Sequence, residues 1–139
     1  MRATLGIRET FDSAHHLPGH PHCGQPHGHT YIVELQVTGD VPEDGMLIDF
    51  ALVKEYLRTV VKNLDHRDLN PVLAPRRSTV ENICHHIGER LMDGDPSFDF
   101  EVKVWEGEGK WCKMEWQAPD RPSHPFAVLH QGRTGGEKP

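Results

Sequence analysis

Six histidines lie within fifteen residues of this chain, and a cysteine lies among them. The segment is interrupted by prolines and glycines, which is typical of a loop. Neutral imidazoles and thiolates are the ligands that Zn²⁺ prefers, so this segment is the first candidate for a metal site. The residues are His15, His16, His20, His22, Cys23, His27 and His29.

Spacing selects three of these histidines. His27 and His29 are two apart in an alternating apolar and polar segment, so both side chains leave one face of a predicted strand, with Cα atoms about 6.6 Å apart. His15 ends the apolar row of the preceding predicted strand, and antiparallel pairing brings it to the same point. Three histidines are typical of a catalytic zinc with an open position. We therefore predict one Zn²⁺ here, with His16 or His20 as an alternative ligand if the register shifts by one residue.

Cys23 admits two chemical interpretations. As a fourth ligand, in the pattern Cys-x₃-His-x-His, its thiolate would complete a tetrahedral structural site. As a free thiol beside a divalent cation, it would act as a base or nucleophile toward a small molecule. Chemistry alone does not separate these interpretations, although the polar loop around Cys23 argues against a purely packing role.

Two acidic residues elsewhere are further candidates. Glu106 follows Val104 in the inward row of a predicted strand, where an unpaired carboxylate is costly. Its partner could be a guanidine-like edge, such as that of a pterin or a guanine, or Glu106 could belong to the turn at Gly107. Asp65 precedes His66 at a predicted helix end, where it either orients the imidazole for proton transfer or bonds local backbone groups.

The patterns that position these residues predict an α+β domain with the order ββααββ. Period-two alternation predicts strands, and three-and-four spacing of apolar residues predicts two helices. Asp49 is the predicted cap of the first helix, whose inward stripe begins at Phe50, and Ser78 with Glu81 forms a predicted capping box for the second. The predicted strands cover 3–15, 27–38, 98–104 and a segment with Cys112, Met114 and Trp116, and the predicted helices cover 50–64 and 78 to the stop at Gly94, with a loop over 65–77.

Composition limits the classes of partner. The chain has 139 residues, and 15 basic against 21 acidic residues give a net charge of −6, so no nucleic-acid or anionic-membrane surface is expected. The sequence has no apolar run that could cross a bilayer and no secretory signal pattern, which favours a cytoplasmic protein. In the reducing cytoplasm, an odd number of three cysteines does not suggest a disulfide framework. Residues 1–117 carry the pattern of one domain, and 118–139 form a polar tail.

Six motifs occur in order along residues 3–116, and together they resemble one enzyme family. They are Phe11-Asp-Ser-Ala-His15, Cys23-x₃-His27-Gly-His29, Gly45-Met-Leu-Ile-Asp49-Phe50, Leu64-Asp-His-Arg-Asp-Leu-Asn70, Ser78-Thr-Val-Glu-Asn-Ile83 and Trp105-Glu106. The family is that of 6-pyruvoyl tetrahydropterin synthase and 6-carboxy-5,6,7,8-tetrahydropterin synthase. The resemblance implies the tunnelling fold, in which a four-stranded antiparallel sheet with two helices on one face assembles into a barrel-like homo-oligomer, a hexamer or tetramer with active sites at subunit interfaces.

The resemblance also implies a role for each candidate residue. The three histidines of the predicted metal site correspond to zinc ligands, and Cys23 corresponds to the proton-abstracting thiolate. Asp65 and His66 resemble a proton relay contributed across a subunit interface. Glu106 is similar to the pterin anchor, and Thr79 is similar to a threonine near the pterin ring. Two neighbouring residues depart from the usual family choices, Val80 and Trp105.

The length of one loop favours a branch of the family. Pyruvoyl-forming members usually have five residues between the cysteine and His-Gly-His, and carboxy-forming members of the queuosine pathway usually have three. Gly24, Gln25 and Pro26 make three here. The resemblance therefore implies conversion of 7,8-dihydroneopterin triphosphate to 6-carboxytetrahydropterin, with release of acetaldehyde and triphosphate. The alternatives are pyruvoyl formation on the same fold and a zinc-stabilised binding module without turnover.

Overall fold

The computed structural model describes residues 1–118, and it begins with a long β-hairpin. Strands β1 (Arg2–His15) and β2 (His27–Asp40) pair antiparallel along their whole length. Their apolar side chains turn inward and their polar side chains stay at the surface, as the alternation predicts. His15 lies opposite His27 in this register, and His29 follows on the same face. The hairpin therefore ends in three inward imidazoles.

Two further strands complete a four-stranded antiparallel sheet in the order β1-β2-β3-β4. Strand β3 (Asp99–Glu106) pairs with β2, and strand β4 (Trp111–Trp116) pairs with β3. The register places Tyr31 of β2 opposite Glu106 of β3. Glu106 therefore closes the inward row of β3 at the same end of the sheet as the histidines. Strands β1 and β4 are the two edges of the sheet.

Three helices accompany the sheet. They are α1 (Phe50–Lys62), α2 (Leu69–Leu73) and α3 (Val80–Met92). Helix α1 contacts β1, and helix α3 contacts β3 and β4. Asp49 caps α1 as predicted, because its carboxylate accepts the N–H of Ala51 at 2.8 Å. Helix α2 is a short addition within the segment predicted as a loop, where its two leucines are buried.

Two details of the predicted helices are wrong. The residue that caps α3 is Thr79, whose hydroxyl accepts the N–H of Asn82 at 3.2 Å. Ser78 is fully buried, and its hydroxyl donates to Oδ1 of Asn70 at 2.9 Å. The predicted capping box fails because this long-range hydrogen bond takes the Ser78 side chain away from the helix end. Phe50, predicted at the start of the inward stripe of α1, is 52% exposed.

The core fills the space between the sheet and the helices α1 and α3. It consists of aliphatic and aromatic side chains from the inward rows of the strands and from the inward faces of the helices, and their burial is the main stabilising contribution. Cys84 lies in this core, where burial raises the pKa of its thiol to about 12. The site residues at the end of the sheet therefore rest on a closely packed support. The most buried members include Phe11, Tyr31, Val33, Leu35, Leu57, Leu64, Leu69, Ile83, Ile87, Leu91, Val102 and Val104.

The predicted α+β class, with a four-stranded antiparallel sheet and helices on one face, is confirmed. The predicted tail over 118–139 lies outside the described residues apart from its first residue. Ala118 is held by β3, because its N–H donates to Oδ1 of Asp99 at 3.0 Å. Within residues 1–118, no helix combines the length and the apolar character that crossing a membrane requires.

Candidate metal and catalytic site

Three imidazole rings meet where the inward rows of β1 and β2 end. The ligand nitrogens of His15, His27 and His29 all lie within 4.8 Å of one another. Their ring centroids are 4.6, 4.8 and 5.2 Å apart. Among the described residues, no other group of three or more histidine, cysteine or acidic side chains is gathered in this way. The structure thus brings together the three predicted ligands, and they could hold a metal ion.

Backbone carbonyls determine which nitrogen faces the centre in two of the three rings, those of His15 and His27. Nδ1 of His15 is 2.7 Å from the carbonyl oxygen of Ser78, and Nδ1 of His27 is 2.7 Å from that of Gln25. A ring that donates through Nδ1 leaves Nε2 as a lone-pair donor, as in metal-binding histidines. The Nε2 atoms of His15 and His29 are buried and have no hydrogen-bond partner among the described residues. A divalent cation between them would satisfy both, so these residues fit a metal.

Glu106 faces the same centre from β3. Its carboxylate oxygens lie 3.7 Å from Nε2 of His15 and 3.8 Å from Nε2 of His29. Nζ of Lys110 lies 3.5 Å from Oε1 of the same carboxylate. The Glu106 side chain is 15% exposed, whereas that of Lys110 is 70% exposed. Burial lowers the pKa of His29, and the charge of Glu106 partly opposes that shift. The inward carboxylate is therefore bordered by imidazoles on one side and by an exposed cation on the other.

Tyr31 is a site residue that the sequence patterns indicate only as core. Its ring stacks on Phe11 with centroids 4.8 Å apart, and it lies edge-on to His29 at 5.6 Å. Its hydroxyl is buried and has no hydrogen-bond partner among the described residues. Burial, with a smaller contribution from Glu106, raises the pKa of Tyr31, so the phenol stays protonated. Its position opposite Glu106 depends on strand register, which alternation alone does not reveal.

Cys23 lies in the loop between β1 and β2 and is half-buried. Its thiol is not a member of the group of ligand atoms formed by the three histidines. This placement favours the interpretation of Cys23 as a reactive thiol over that of a fourth ligand. Burial raises the pKa of both other cysteines, Cys84 and Cys112, which makes each a poor nucleophile.

Asp65 and His66 form an ion pair just after α1. Oδ2 of Asp65 is 2.8 Å from Nδ1 of His66, and Oδ1 of Asp65 accepts the N–H of Asp12 at 2.9 Å. Hydrogen bonding to Asp65 raises the pKa of His66. The imidazole is 79% exposed and lines an open depression of about 610 Å³ together with Asp12, Thr30 and His29. Its ring is therefore held by Asp65 on one side and is open to a ligand or another chain on the other.

The end of β1 is fastened to the segment before α3. Asn70 donates through Nδ2 to the carbonyl of His16 at 2.9 Å and accepts the N–H of His16 at 3.0 Å. Ser78 lies beside this pair and supplies the carbonyl that orients His15. Thr79, the predicted pterin-side threonine, comes directly after it and uses its hydroxyl oxygen as the cap acceptor of α3. Its hydroxyl proton stays available to a ligand.

A family model described as 6-pyruvoyl tetrahydropterin synthase matches residues 4–117, which include every site residue described above. The chain belongs to this family. It is therefore a relative of pterin-processing enzymes, and the motifs that carried the resemblance lie at the ends of the strands and helices that build the site.

Curated relatives of the 6-pyruvoyl tetrahydropterin synthase family differ in the reaction that they are named for. The chain is 38% identical over 110 residues to an Archaeoglobus fulgidus protein provisionally named 6-carboxy-5,6,7,8-tetrahydropterin synthase, which covers 79% of this chain and 93% of the relative. It is 35% identical over 119 residues to the dihydroneopterin monophosphate aldolase of Pyrococcus furiosus, covering 84% of this chain and 100% of the relative.

Solved structures agree on the fold of the family. The 6-pyruvoyl tetrahydropterin synthase of Caenorhabditis elegans superposes with a TM-score of 0.77 at 24% identity, covering 84% of this chain and 97% of that one. The Plasmodium falciparum 6-pyruvoyl tetrahydropterin synthase superposes with a TM-score of 0.74 at 21% identity, covering 84% and 98%. The tunnelling fold that the motifs implied is confirmed.

Proposed function

We propose that the protein is a zinc-dependent 6-carboxy-5,6,7,8-tetrahydropterin synthase of the cytoplasm that acts in queuosine biosynthesis. It converts 7,8-dihydroneopterin triphosphate and one water to 6-carboxytetrahydropterin, acetaldehyde and triphosphate. One observation carries the proposal. Two buried Nε2 atoms without partners, on His15 and His29, converge with His27, and the thiol of Cys23 stays outside that group. An open metal position with a separate thiol suits removal of a carbon-bound proton.

The residues of the chain divide the work of this reaction. When bound by the three histidines, Zn²⁺ supplies Lewis-acid polarisation of the substrate side-chain oxygens. Cys23 removes a carbon-bound proton as its thiolate, and Glu106 orients the pterin by accepting two hydrogen bonds from its guanidine-like edge. Lys110 is mostly exposed, so the pterin can take its place beside Glu106 at little cost. The hydroxyl of Thr79 donates a hydrogen bond to the pterin ring.

The proton returns through His66 from a neighbouring subunit. Asp65 holds the imidazole and favours its protonated form, which is the form that a general acid needs. The ring of His66 is mostly exposed in the single chain, so we assign it to the site of another chain in a homo-oligomer, a hexamer or a tetramer.

The Cys23 loop distinguishes the proposed reaction from pyruvoyl formation. Three residues separate Cys23 from His27, as in the carboxy-forming members that the motifs resemble. The identity to the Archaeoglobus relative supports the same branch.

Product analysis tests the proposal. The zinc-loaded protein is incubated with 7,8-dihydroneopterin triphosphate, and acetaldehyde, triphosphate and the pterin product are each measured. We expect acetaldehyde and triphosphate in equal amounts, together with 6-carboxytetrahydropterin. Triphosphate without acetaldehyde would identify pyruvoyl formation instead. No consumption of the substrate by zinc-loaded protein would support the binding module.

The Pyrococcus relative supports a second candidate, an aldolase acting on dihydroneopterin monophosphate. That reaction also begins at a polarised side-chain oxygen, so the same residues could serve it. The two candidates differ in what happens to the phosphate. An aldol cleavage of the monophosphate leaves phosphate on the released aldehyde and forms neither acetaldehyde nor triphosphate. A parallel incubation with the monophosphate therefore separates them.

A further inference from the structure

The loop that carries Cys23 is organised around the side chain of His20. Nδ1 of His20 accepts two backbone N–H groups, that of Cys23 at 3.0 Å and that of His22 at 3.2 Å. The backbone of Leu17 completes the turn, because its carbonyl accepts the N–H of His20 at 3.0 Å and its own N–H donates to the carbonyl of Cys23 at 2.6 Å. Cys23 is therefore hydrogen-bonded on both of its backbone groups.

This arrangement resembles the turn that an aspartate or asparagine forms when its side chain accepts N–H groups two and three residues later. The acceptor here is a ring nitrogen. A nitrogen that accepts must be unprotonated, so His20 carries its proton on Nε2. The close packing of the loop continues at Gly24, where a Cβ would lie 2.7 Å from the carbonyl oxygen of His20. The loop therefore has one compact arrangement, and His20 and Gly24 both maintain it.

The same contacts argue against a metal-binding role for His20. Its Nδ1 is occupied by two N–H donors, and His20 does not belong to the group formed by the three converging histidines. His22 makes no comparable side-chain hydrogen bond in the described part of the chain and is exposed, so it is a matched control. The two histidines flank the same proline with ring centroids 6.4 Å apart, and of the two only His20 accepts backbone N–H groups through its ring.

We propose that His20 is a positioning residue for Cys23: its Nδ1 holds the backbone at Cys23 so that the thiol is presented to the substrate. This inference rests on the proposed role of Cys23 as the base. A proton-transfer base must lie within about 3 Å of its target, and small displacements cost up to about a hundredfold in rate. In a loop, no ladder of backbone hydrogen bonds fixes the position of a side chain, so the hydrogen bonds from His20 take that function for Cys23.

The test compares three variants of the zinc-loaded protein. His20→Ala removes the acceptor, His20→Asn supplies an oxygen near the position of Nδ1, and His22→Ala is the control. We expect His20→Ala to lower kcat by about 10- to 100-fold, with KM and zinc content changed less than about twofold. His20→Asn should recover most of the lost kcat, and His22→Ala should leave it unchanged. A His20→Ala variant with normal kcat would overturn the inference, as would an Asn variant no better than Ala.

Two further measurements separate this inference from the proposed function. Nitrogen-15 NMR of labelled histidine should show His20 as the neutral tautomer with its proton on Nε2, and a proton on Nδ1 would overturn the inference whatever the activity. Cys23→Ala serves as the reference for the proposed function. If Cys23→Ala keeps full activity, the proposed role of Cys23 fails. If Cys23→Ala is inactive and His20→Ala is fully active, only the positioning role fails.

Discussion

Two buried ring nitrogens at the centre of the site have no hydrogen-bond partner among the described residues. A buried polar atom without a hydrogen bond costs about 1–3 kcal/mol of stability. The two atoms here are Nε2 of His15 and Nε2 of His29. The ring of His15 cannot turn its inward nitrogen away at low cost. His15 is held through Nδ1 by the carbonyl of Ser78, and it is only 1% exposed. A fixed ring with an unpaired inward nitrogen is what a metal-binding histidine requires.

Replacing one ligand should abolish tight zinc binding. We expect His15→Ala to lower zinc affinity by more than about 100-fold, beyond the 10- to 100-fold typical of changes that act only on the support of a ligand. Chelator competition with elemental analysis measures this directly. His22→Ala, from the same histidine-rich segment, should retain one zinc per chain. A His15→Ala protein that binds zinc as tightly as the His22→Ala protein would contradict the assignment.

The pairing of Asp65 with His66 predicts a pH effect of definite sign. The hydrogen bond to Asp65 raises the pKa of His66 above its usual 6.5 in the folded protein. Its contribution to stability is therefore present below pH 6.5 and is lost as the pH rises through the raised pKa. Asp65→Asn should bring the pKa of His66 back toward its usual value. The alkaline limb of the kcat profile should then move to lower pH.

An NMR titration of His66 checks this expectation alongside the rate profile. Glu89→Gln, which alters an acidic residue near a different histidine, is the control and should leave His66 unchanged. If Asp65→Asn shifts neither the His66 titration nor the alkaline limb, the relay role is wrong.

Some of the site residues are predictable from sequence because they lie on strands. Alternation decides the face of a strand residue, so the convergence of the histidines and the inward side chain of Glu106 could both be predicted. Cys23 lies in a loop, where no periodicity indicates a direction. Alternation does not predict a site role for the hydroxyl of Tyr31, because that role depends on Glu106 in the strand opposite it.

At the scale of elements, the contact between α3 and β4 requires a glycine at position 88 of α3. A Cβ on Gly88 of α3 would lie 1.9 Å from the ring of Trp116 on β4. That ring cannot move aside easily, because it stacks on Phe100 at 5.3 Å and its Nε1–H donates to Glu89 at 3.0 Å. Helix α3 and the end of the sheet approach each other as closely as glycine allows.

This close contact predicts that a substitution that usually stabilises a helix, glycine to alanine, destabilises the protein at Gly88. Glycine to alanine within a helix normally adds about 1 kcal/mol of stability. Gly88→Ala should instead lower the free energy of unfolding by about 1–3 kcal/mol, because the added methyl overpacks the contact with Trp116. Chemical denaturation measures the change. Gly6→Ala in β1 is the control, since its Cβ would meet its nearest atom at 3.7 Å, and it should raise the free energy of unfolding by about 0.5–1 kcal/mol. A Gly88→Ala protein that is more stable than the wild type would contradict the predicted overpacking against Trp116.

The elements themselves are largely predictable, and each error has its own physical reason. Strand alternation and the apolar stripes of α1 and α3 are local patterns, so their bounds were close. The capping serine was misplaced because Ser78 bonds Asn70, a contact made only when the fold is complete. Helix α2 is not predicted, because Pro71 and Pro75 indicate a loop. In the structure, the cap at Asp68 and the burial of Leu69 and Leu73 stabilise one short helix there.

At the scale of the whole molecule, the sheet leaves two edges for assembly. Within the described chain, strand β4 pairs on one side only, and β1 has β2 as its one strand partner, although its end at Asp12 and Ala14 bonds the backbone of 66–68. Trp111 on β4 is 49% exposed, and Nζ of Lys103 lies 4.1 Å from the centre of its ring. Unpaired edges with exposed aromatic surface favour association with other copies. Sequence alone gives no measure of that association, because edges appear only when the strand order is known.

Subunit mixing tests whether sites are shared between chains. Cys23→Ala and His66→Ala should each be nearly inactive alone. After the two proteins are unfolded and refolded together, about a quarter of the sites should combine an intact Cys23 with an intact His66 from a neighbour and regain activity. Refolding each variant separately is the control. If the mixture stays as inactive as its components while wild-type protein recovers, His66 does not act across an interface.

In the proposed mechanism, Cys23 is a reactive thiol beside a histidine-bound metal. The most direct test is the Cys23→Ala protein, measured for zinc content and for acetaldehyde formation from 7,8-dihydroneopterin triphosphate in the same preparation. We expect one zinc per chain, unchanged stability, and acetaldehyde formation reduced by at least about a thousandfold, as for loss of a catalytic group. Loss of zinc would show that Cys23 is a ligand, and persistent acetaldehyde formation would show that another group is the base; either result would contradict the account.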